Sequence, residues 1–562
     1  MCGIFGILNN HQSSEEDINT AFKNGYKRGP EKSTFYKING GTSFGFHRLA
    51  INGLNDESNQ PISADDCILI CNGEIYNYKE LKAEELSDVS FKTQSDCETI
   101  IHLYRKFGIV EALKLINGEF AFALYDLKND TILLARDPLG VRALYFAESV
   151  PFSKEIIFAS ELKCISPLNK HNVFKVEQFT PGCFMSIKQT LDNTWYIDTR
   201  YSQYYSPLLP IVTTQVHESE STYLSMINTT LKQCVKRRVT TTERPVACLL
   251  SGGLDSSLIT ALVAKEYGGE NLETYSIGMP GSEDLKYARM VADYLKTKHT
   301  EIVMSEDEFF DAIPEVIKSI ESYDTTTVRA STGNYLVSKY ISKNSQAKVI
   351  FNGDGSDEVT GGYLYFHKAP SPDEFDKECR RLLKDIHTFD VLRSDKSISS
   401  NGLEPRTPFL DKEFVDMYMS IPLEFRYHAG KNQCEKYLLR KAFQAEKLLP
   451  QEVLWRTKEA FSDGVSKATR SWYEVINQKV SNMDISYNTR QDIYTVNPPS
   501  TIEQFYFRSL FELYYENLGY LIPYFWMPRF IDAKDSSART LDIYSNVTGT
   551  IKQETSKQSS AL

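Results

Sequence analysis

The pattern of apolar and polar positions changes character near residue 200. Before it, short apolar runs recur between polar turns: Ile4–Ile7, Phe44–Asn52, Ile68–Cys71, Phe120–Tyr125, Thr131–Ala135, Ala143–Ala147 and Ile156–Ala159. Runs of this kind, rich in aromatic and β-branched residues, predict strands. Thr93–Glu98 instead caps a helical pattern that continues as Thr99-Ile100-Ile101-His102-Leu103-Tyr104. The first 200 residues thus predict a sheet-rich, layered α+β unit. Tyr201–Thr222 is rich in Tyr, Ser, Pro and Thr, shows no apolar period and predicts a linker.

Beyond it, helical and strand patterns alternate. Tyr223–Arg238 predicts a helix, Val246–Leu250 a strand, Leu258–Ala264 a helix and Glu273–Gly278 a strand. Asp284–Lys298 places Leu285, Ala288, Val291, Ala292 and Leu295 at helical spacing, and Lys348–Phe351 predicts a further strand. Such alternation implies a parallel α/β sheet with ligands at the C-terminal strand ends. The expected organisation is 1–200, a linker 201–222, a second domain 223–539 and a tail 540–562, disordered at its end because Ser, Thr, Gln and Lys dominate there.

Composition narrows the class. With 562 residues, two or three domains are expected. A net charge of −11 with no long Lys/Arg block argues against nucleic acid. No apolar stretch approaches the roughly 20 residues of a membrane helix, and the first residues lack a signal-peptide pattern. Ten cysteines without CxxC pairs read as reduced thiols. A cytoplasmic protein without membrane or nucleic-acid partners is expected, and the sequons at Asn228 and Asn546 carry little weight.

The densest chemistry lies at Val246-Ala247-Cys248-Leu249-Leu250-Ser251-Gly252-Gly253-Leu254-Asp255-Ser256-Ser257. A strand–glycine turn–helix junction gathers free N–H groups and a positive helix end, where phosphate can sit. No Lys-Ser/Thr follows the last glycine, so this is not a Walker loop. Asp255 would repel bare phosphate and makes sense beside a cation such as Mg²⁺. The segment resembles the PP-loop of ATP pyrophosphatases. After the strand at 348–351, Asn352-Gly353-Asp354-Gly355-Ser356-Asp357-Glu358 adds a second acidic loop at the same sheet edge.

At the amino end, Cys2 would become the terminal residue on loss of Met1, giving a thiol with an amine to act as its base. A lone cysteine is more often a buried thiol. Here it is accompanied by Arg48-Leu49-Ala50-Ile51-Asn52, Asn72-Gly73-Glu74 and Asp96. Together these resemble the class II glutamine amidotransferases, which implies a four-layer αββα glutaminase domain with Cys2 as nucleophile. By that resemblance Asn72 and Gly73 form the oxyanion hole and Arg48 grips the glutamine carboxylate. Asp96 and Glu74 hold its amino and amide ends, and Leu49 to Asn52 add backbone contacts. The family pattern His-Arg-Gly-Pro-Asp reads Lys27-Arg28-Gly29-Pro30-Glu31 here.

The resemblance extends over nearly the whole chain, through Gly361–Pro370, Arg406–Asp411 and Trp455–Lys458, and is greatest to the glutamine-dependent asparagine synthetases. It implies L-glutamine, L-aspartate and ATP as substrates and Mg²⁺ as cofactor, and it allows a homodimer. The implied ATP site comprises Leu250, Ser251, Gly252, Gly253, Asp255, Ser256, Ile277, Asn352, Gly353 and Lys458, with Asp255 and Asp357 as metal ligands. Thr326, Thr327 and Arg329 would face aspartate, and Asp354, where the family has glutamate, would assist catalysis. Three readings are open: this synthesis, the same chemistry with another nitrogen donor or acceptor, and a non-catalytic nucleotide-binding protein.

Overall fold

The apolar runs of the amino-terminal half pair into two antiparallel six-stranded sheets. The structure, a computed structural model, describes residues 1–11, 13–39, 41–149, 154–169, 173–207, 218–431, 433–483 and 493–541. One sheet takes β1 (Gly3–Leu8), β2 (Lys32–Asn39), β3 (Thr42–Arg48), β8 (Tyr145–Ser149), β9 (Ile156–Ala159) and β10 (Phe174–Gln178), in the order β10-β8-β9-β1-β3-β2. The other takes β4 (Ile62–Ala64), β5 (Cys67–Ile75), β6 (Gly118–Asp126), β7 (Thr131–Arg136), β11 (Cys183–Gln189) and β12 (Trp195–Gln203), in the order β12-β11-β7-β6-β5-β4. Ile4, Leu8, Phe44, Phe46, Ile68, Ile70, Leu134 and Phe158 fill the space between them. Helix α1 (Glu15–Lys23) covers the first sheet, packing Phe22 on Phe5 with ring centroids 6.1 Å apart. After the short α2 (Tyr78–Glu84), helix α3 (Glu98–Leu115) covers the second through Ile100, Ile101 and Leu103. The layers are therefore α, β, β, α.

The second half holds a five-stranded parallel sheet ordered β15-β14-β13-β16-β17, built from β13 (Val246–Leu249), β14 (Glu273–Gly278), β15 (Lys298–Val303), β16 (Val349–Phe351) and β17 (Glu404–Arg406). Helix α4 (Glu220–Thr240) leads into it and α5 (Leu254–Tyr267) follows the glycine turn. The loops after β13, β14 and β16 share one edge, where the alternating pattern puts them.

Three elements differ from the sequence expectation. The helix expected over 284–298 ends at Leu295, because Lys296 turns left-handed at φ 56°, and Lys298 opens β15. The strand expected at Ile68–Cys71 runs on to Ile75, so that Asn72, Gly73 and Glu74 lie inside β5, paired with Ala121, Phe120 and Glu119. The strand β12 runs through Tyr201–Gln203 and α4 begins at Glu220, so a strand enters one end of the expected linker and a helix the other. Residues 208–217 of that stretch, and 542–562 of the expected tail, lie outside the described residues.

Both halves contribute to common cores. Leu49, Ile51, Leu139 and Val141 cluster with Tyr223, Leu231 and Val246. Phe5, Ile157 and Leu162 cluster with Ile317, Ile398 and Leu403. Buried ion pairs run along the same boundary. Arg28 bonds Glu161 at 2.6 Å and Asp395 at 2.8 Å, Arg142 bonds Glu119 at 2.7 Å, and Arg238 bonds Glu119 at 3.0 Å. Deleting one partner of such a pair leaves an uncompensated buried charge, which costs about 3–5 kcal/mol.

Candidate active sites

The amino-terminal site is a small pocket lined by Cys2, Arg48, Leu49, Ala50, Ile51, Asn52, Gly73, Glu74 and Asp96, together with Ser58, Gln60 and Cys97. β1 delivers Cys2, the end of β3 delivers Arg48, and β5 delivers Asn72 to Glu74. Cys2 Sγ donates to Leu49 O at 3.5 Å, and burial pushes its thiol up to about 12. A thiol in that state needs a neighbouring base before it can attack. Met1 is buried and its amino group donates to Leu403 O at 2.9 Å across the boundary.

Asn72 is fully buried; its Nδ2 has Ser160 Oγ at 3.5 Å and its Oδ1 has no partner among the described residues. Gly73 is required by space, since a Cβ there would stand 2.3 Å from Glu119 O. Arg48 directs Nη1 to Asn55 O and Asn59 Oδ1 at 3.0 and 2.7 Å and Nη2 to Gly53 O, which fixes the fork while leaving donors over. Asp96 accepts from Ile75 N–H at 2.7 Å, and burial raises its carboxyl to about 6. Burial, then the nearby Asp96 and Glu404 charges, hold Glu74 well above the carboxylate range. Asn52 Nδ2 donates to Glu74 at 2.5 Å.

Lys27 and Glu31, where the resembled pattern carries His and Asp, both reach the other half. Lys27 Nζ meets Glu315 at 2.8 Å, and Glu31 meets Arg244 at 2.6 Å while its other oxygen accepts from Ala50 N–H.

The second site is a cavity of about 160 Å³ at the edge of the parallel sheet. Leu250, Ser251, Gly253, Asp255, Ser256, Ile277, Thr326, Asn352, Gly353, Asp354, Asp357 and Lys458 all line it. The two loops touch: a Cβ on Gly353 would lie 2.7 Å from Asp255 C and Ser256 N. Asp255 accepts from Ser356 Oγ at 2.9 Å and from Lys436 Nζ at 2.6 Å. Lys458 Nζ lies 2.5 Å from Asp357 and Lys436 Nζ 2.7 Å from it. Despite burial, the Lys436 and Lys458 ammoniums hold the Asp255 carboxyl well below the usual range. In turn, Asp357 and Asp255 raise the Lys458 ammonium above its ordinary value.

Gly252 stands behind the lining. Its φ is 74°, a Cβ would stand 2.4 Å from Ala288 N, and its carbonyl accepts from Arg456 at 3.0 Å. Asp354 Oδ1 accepts from Arg393 at 2.9 Å, whereas its buried Oδ2 has no partner among the described residues. Thr326 Oγ1 is likewise unpartnered. Thr327 and Arg329 do not line the cavity. Thr327 donates to Asp324, the cap of the helix Thr325–Asn344, and Arg329 is paired with Glu503 at 2.5 Å and Asp535 at 2.8 Å.

Sequence reasoning did not find Lys436, Asp390 or Arg456, all of which line this cavity. Arg393 lines it too, while Lys396 of the same helix, Asp390–Ser399, is fully buried against Glu321. No signal beyond a lysine before an apolar helix marks Lys436.

The donor set fits a hard cation. Among the described residues no cluster of three or more His, Cys, Asp or Glu could hold a metal alone. Asp255 and Asp357 offer carboxylate oxygens on facing loops, and their paired ammoniums already mark the place between them as one for positive charge. Mg²⁺ is held by one or two carboxylates besides substrate phosphates and water, and the carboxylates are what these two residues offer.

A family profile described as a glutamine amidotransferase domain matches residues 1–199, and one described as asparagine synthase matches 226–372 and 369–516. The chain is 40% identical to the asparagine synthetase [glutamine-hydrolyzing] of Gallus gallus, over 97% of this chain and 99% of that one. It is 39% identical to the protein of the same name from Cricetulus griseus and 38% identical to that of Homo sapiens, with the same coverage.

Proposed function

The chain belongs to the glutamine-hydrolysing asparagine synthetases, and on that premise we propose that it makes L-asparagine from L-aspartate with ATP and L-glutamine, releasing L-glutamate, AMP and pyrophosphate. Two partial reactions divide between the sites. At the amino end, loss of Met1 frees the Cys2 amine, which takes the thiol proton as Sγ bonds to the glutamine amide carbon. Charge that then appears on the amide oxygen is met by Asn72 Nδ2 and the Gly73 N–H, donors already fixed in β5. Collapse, with that proton passed from the Cys2 amine to the amide nitrogen, expels ammonia and leaves a glutamyl thioester, which water opens to glutamate. Arg48 and Asp96 orient the amino acid, with Glu74 and the backbone of Leu49 to Asn52 around it.

In the larger cavity the aspartate β-carboxylate attacks the α-phosphorus of ATP, and pyrophosphate leaves. The N–H groups of Ser251 to Ser256 cradle the phosphates, and Lys458 and Lys436 stabilise the departing charge. Leu250, Ile277, Asn352 and Gly353 enclose the nucleoside. Asp255 and Asp357 would hold Mg²⁺, which supplies charge neutralisation on the phosphates. Asp354 Oδ2 accepts a proton from the incoming ammonia as the β-aspartyl-AMP yields asparagine and AMP. The Thr326 hydroxyl is the member of Thr326, Thr327 and Arg329 best placed for aspartate.

The observation that carries this reading is the meeting of the glycine turn with the Asp354 loop over one cavity, with two lysines bridging two aspartates there. A cytoplasmic location goes with it, a homodimer is compatible with it, and nucleic acid and membranes play no part in it. No described helix is long and apolar enough to cross a membrane. One assay tests the function: asparagine, glutamate, AMP and pyrophosphate followed with glutamine or ammonium. Asparagine and AMP rising one for one support it, and ADP in place of AMP refutes it.

A further inference from the structure

The loop that lines the glutamine pocket, Ala50 to Gly53, is held largely from the other half of the chain. Arg244 Nε donates to Ala50 O at 2.7 Å, and Glu243 N–H donates to Ile51 O at 3.0 Å. Asn52 Nδ2 donates to Thr241 O at 3.1 Å, and Gly53 N–H donates to Glu243 Oε1 at 2.7 Å. Glu31 closes the set, accepting from Ala50 N–H at 2.8 Å and from Arg244 Nη2 at 2.6 Å. Thus every residue of a four-residue loop is bonded to Thr241, Glu243 or Arg244. Two of those bonds use charged side chains, which hold geometry better than neutral ones.

The loop's geometry matters because its members do chemistry. Asn52 Nδ2 divides between Thr241 O and the Glu74 carboxyl, and Gly53 O fixes Arg48 Nη2. Moving Ala50 to Gly53 therefore moves the groups that meet both ends of the amino acid. Thr241 to Arg244 run through Pro245 directly into β13, and Pro245 O also accepts from Lys348 N–H at the foot of β16. The same short segment thus anchors the glutamine loop and the two strands whose tips form the nucleotide cavity.

We propose that Glu243 and Arg244, though they belong to the synthetase half, are positioning residues for glutamine hydrolysis, completing a pocket that the amino-terminal half does not hold in shape unaided. This rests on the reading of the Cys2 pocket as the glutaminase. Arg244 acts through Ala50 and Glu31, Glu243 through Ile51 and Gly53, and neither touches substrate.

The test uses the full chain and measures glutamate release and ammonium-dependent asparagine synthesis separately. Arg244→Met and Glu243→Ala raise the glutamine KM about 10-fold, the value of one charged hydrogen bond, with kcat and ammonium-dependent synthesis unchanged. Arg244→Lys, which keeps the charge but not the fork, restores part of the loss. Should Arg244→Met not fold, Glu31→Gln at the half-exposed end of the pair shifts the glutamine KM in the same direction. An unchanged glutamine KM overturns the proposal, and so does a fall in ammonium-dependent synthesis in step with glutamine use, which would make the segment a support for β13 alone. Cys2→Ala is run alongside: glutamate release that survives it overturns the glutaminase reading itself.

Discussion

Lys458 Nζ lies 2.5 Å from Asp357 Oδ2 and 3.5 Å from Asp255 Oδ2, so one ammonium ties the glycine-turn helix to the acidic loop after β16. Lys436 makes the same bridge at 2.6 and 2.7 Å. Two cations and two anions balance in this corner of the cavity. A nucleotide carrying a divalent cation can exchange into such an arrangement: ammonium goes to phosphate and carboxylate goes to metal.

Lys458→Met should lower asparagine formation about 100-fold, the scale of one lost transition-state donor. The loss should be equal with glutamine or ammonium, while glutamate release continues. Quantifying AMP and glutamate in one reaction checks it. A loss confined to glutamine would place Lys458 elsewhere in the mechanism.

Cys2→Ala should abolish glutamate release and leave ammonium-supported synthesis intact. Amino-acid analysis of both arms decides it. Parallel loss of both would contradict the division of labour between the pockets.

Burial raises the Asp96 carboxyl to about 6, and the ionised form is the one that holds an α-ammonium group. As pH falls through about 6 the carboxylate takes up a proton, and the glutamine KM should climb about tenfold per unit below that point. Asp96→Asn should bind weakly at every pH and lose this inflection. The sign for stability is opposite. A carboxyl raised above its unfolded value stabilises the ligand-free protein at low pH, and that contribution fades as pH rises through about 6. Glutamate release across the pH range is the measurement.

Gly353→Ala should lower stability by about 1–3 kcal/mol, because its Cβ would meet backbone atoms that cannot swing aside. At Gly253 the nearest atom is Ser251 Oγ at 3.5 Å, so Gly253→Ala should leave the melting temperature unchanged. Thermal denaturation of the two variants without ligand compares them directly.

How much was legible depended on whether a signal was local. The glycine turn could be read because strand, turn and helix are contiguous from Val246 to Ala264. The strand β15 could not, since at this sheet edge only Ile302 is buried, Val303 is exposed and the other four residues of the run are polar. The strand β17 hides for another reason: Glu404 and Arg406 look like surface residues but satisfy each other at 3.0 Å inside the protein. Lys436 reaches Asp255 across 181 residues, a meeting that only the fold creates. Thr326, Thr327 and Arg329 were legible as a group through the family resemblance. Which members face the cavity was not, because the Arg329 partners Glu503 and Asp535 come much later in the chain.

Because Leu49 and Ile51 lie in one apolar cluster with Val246, and Phe5 and Leu162 in another with Ile317, the boundary between the halves is not a surface at all. Severing the gene near residue 210 would leave each fragment with a greasy, charge-studded face that water cannot satisfy. Heating the intact chain should accordingly give one calorimetric endotherm rather than two, and evolution could tune one reaction only by edits that the neighbouring lobe tolerates.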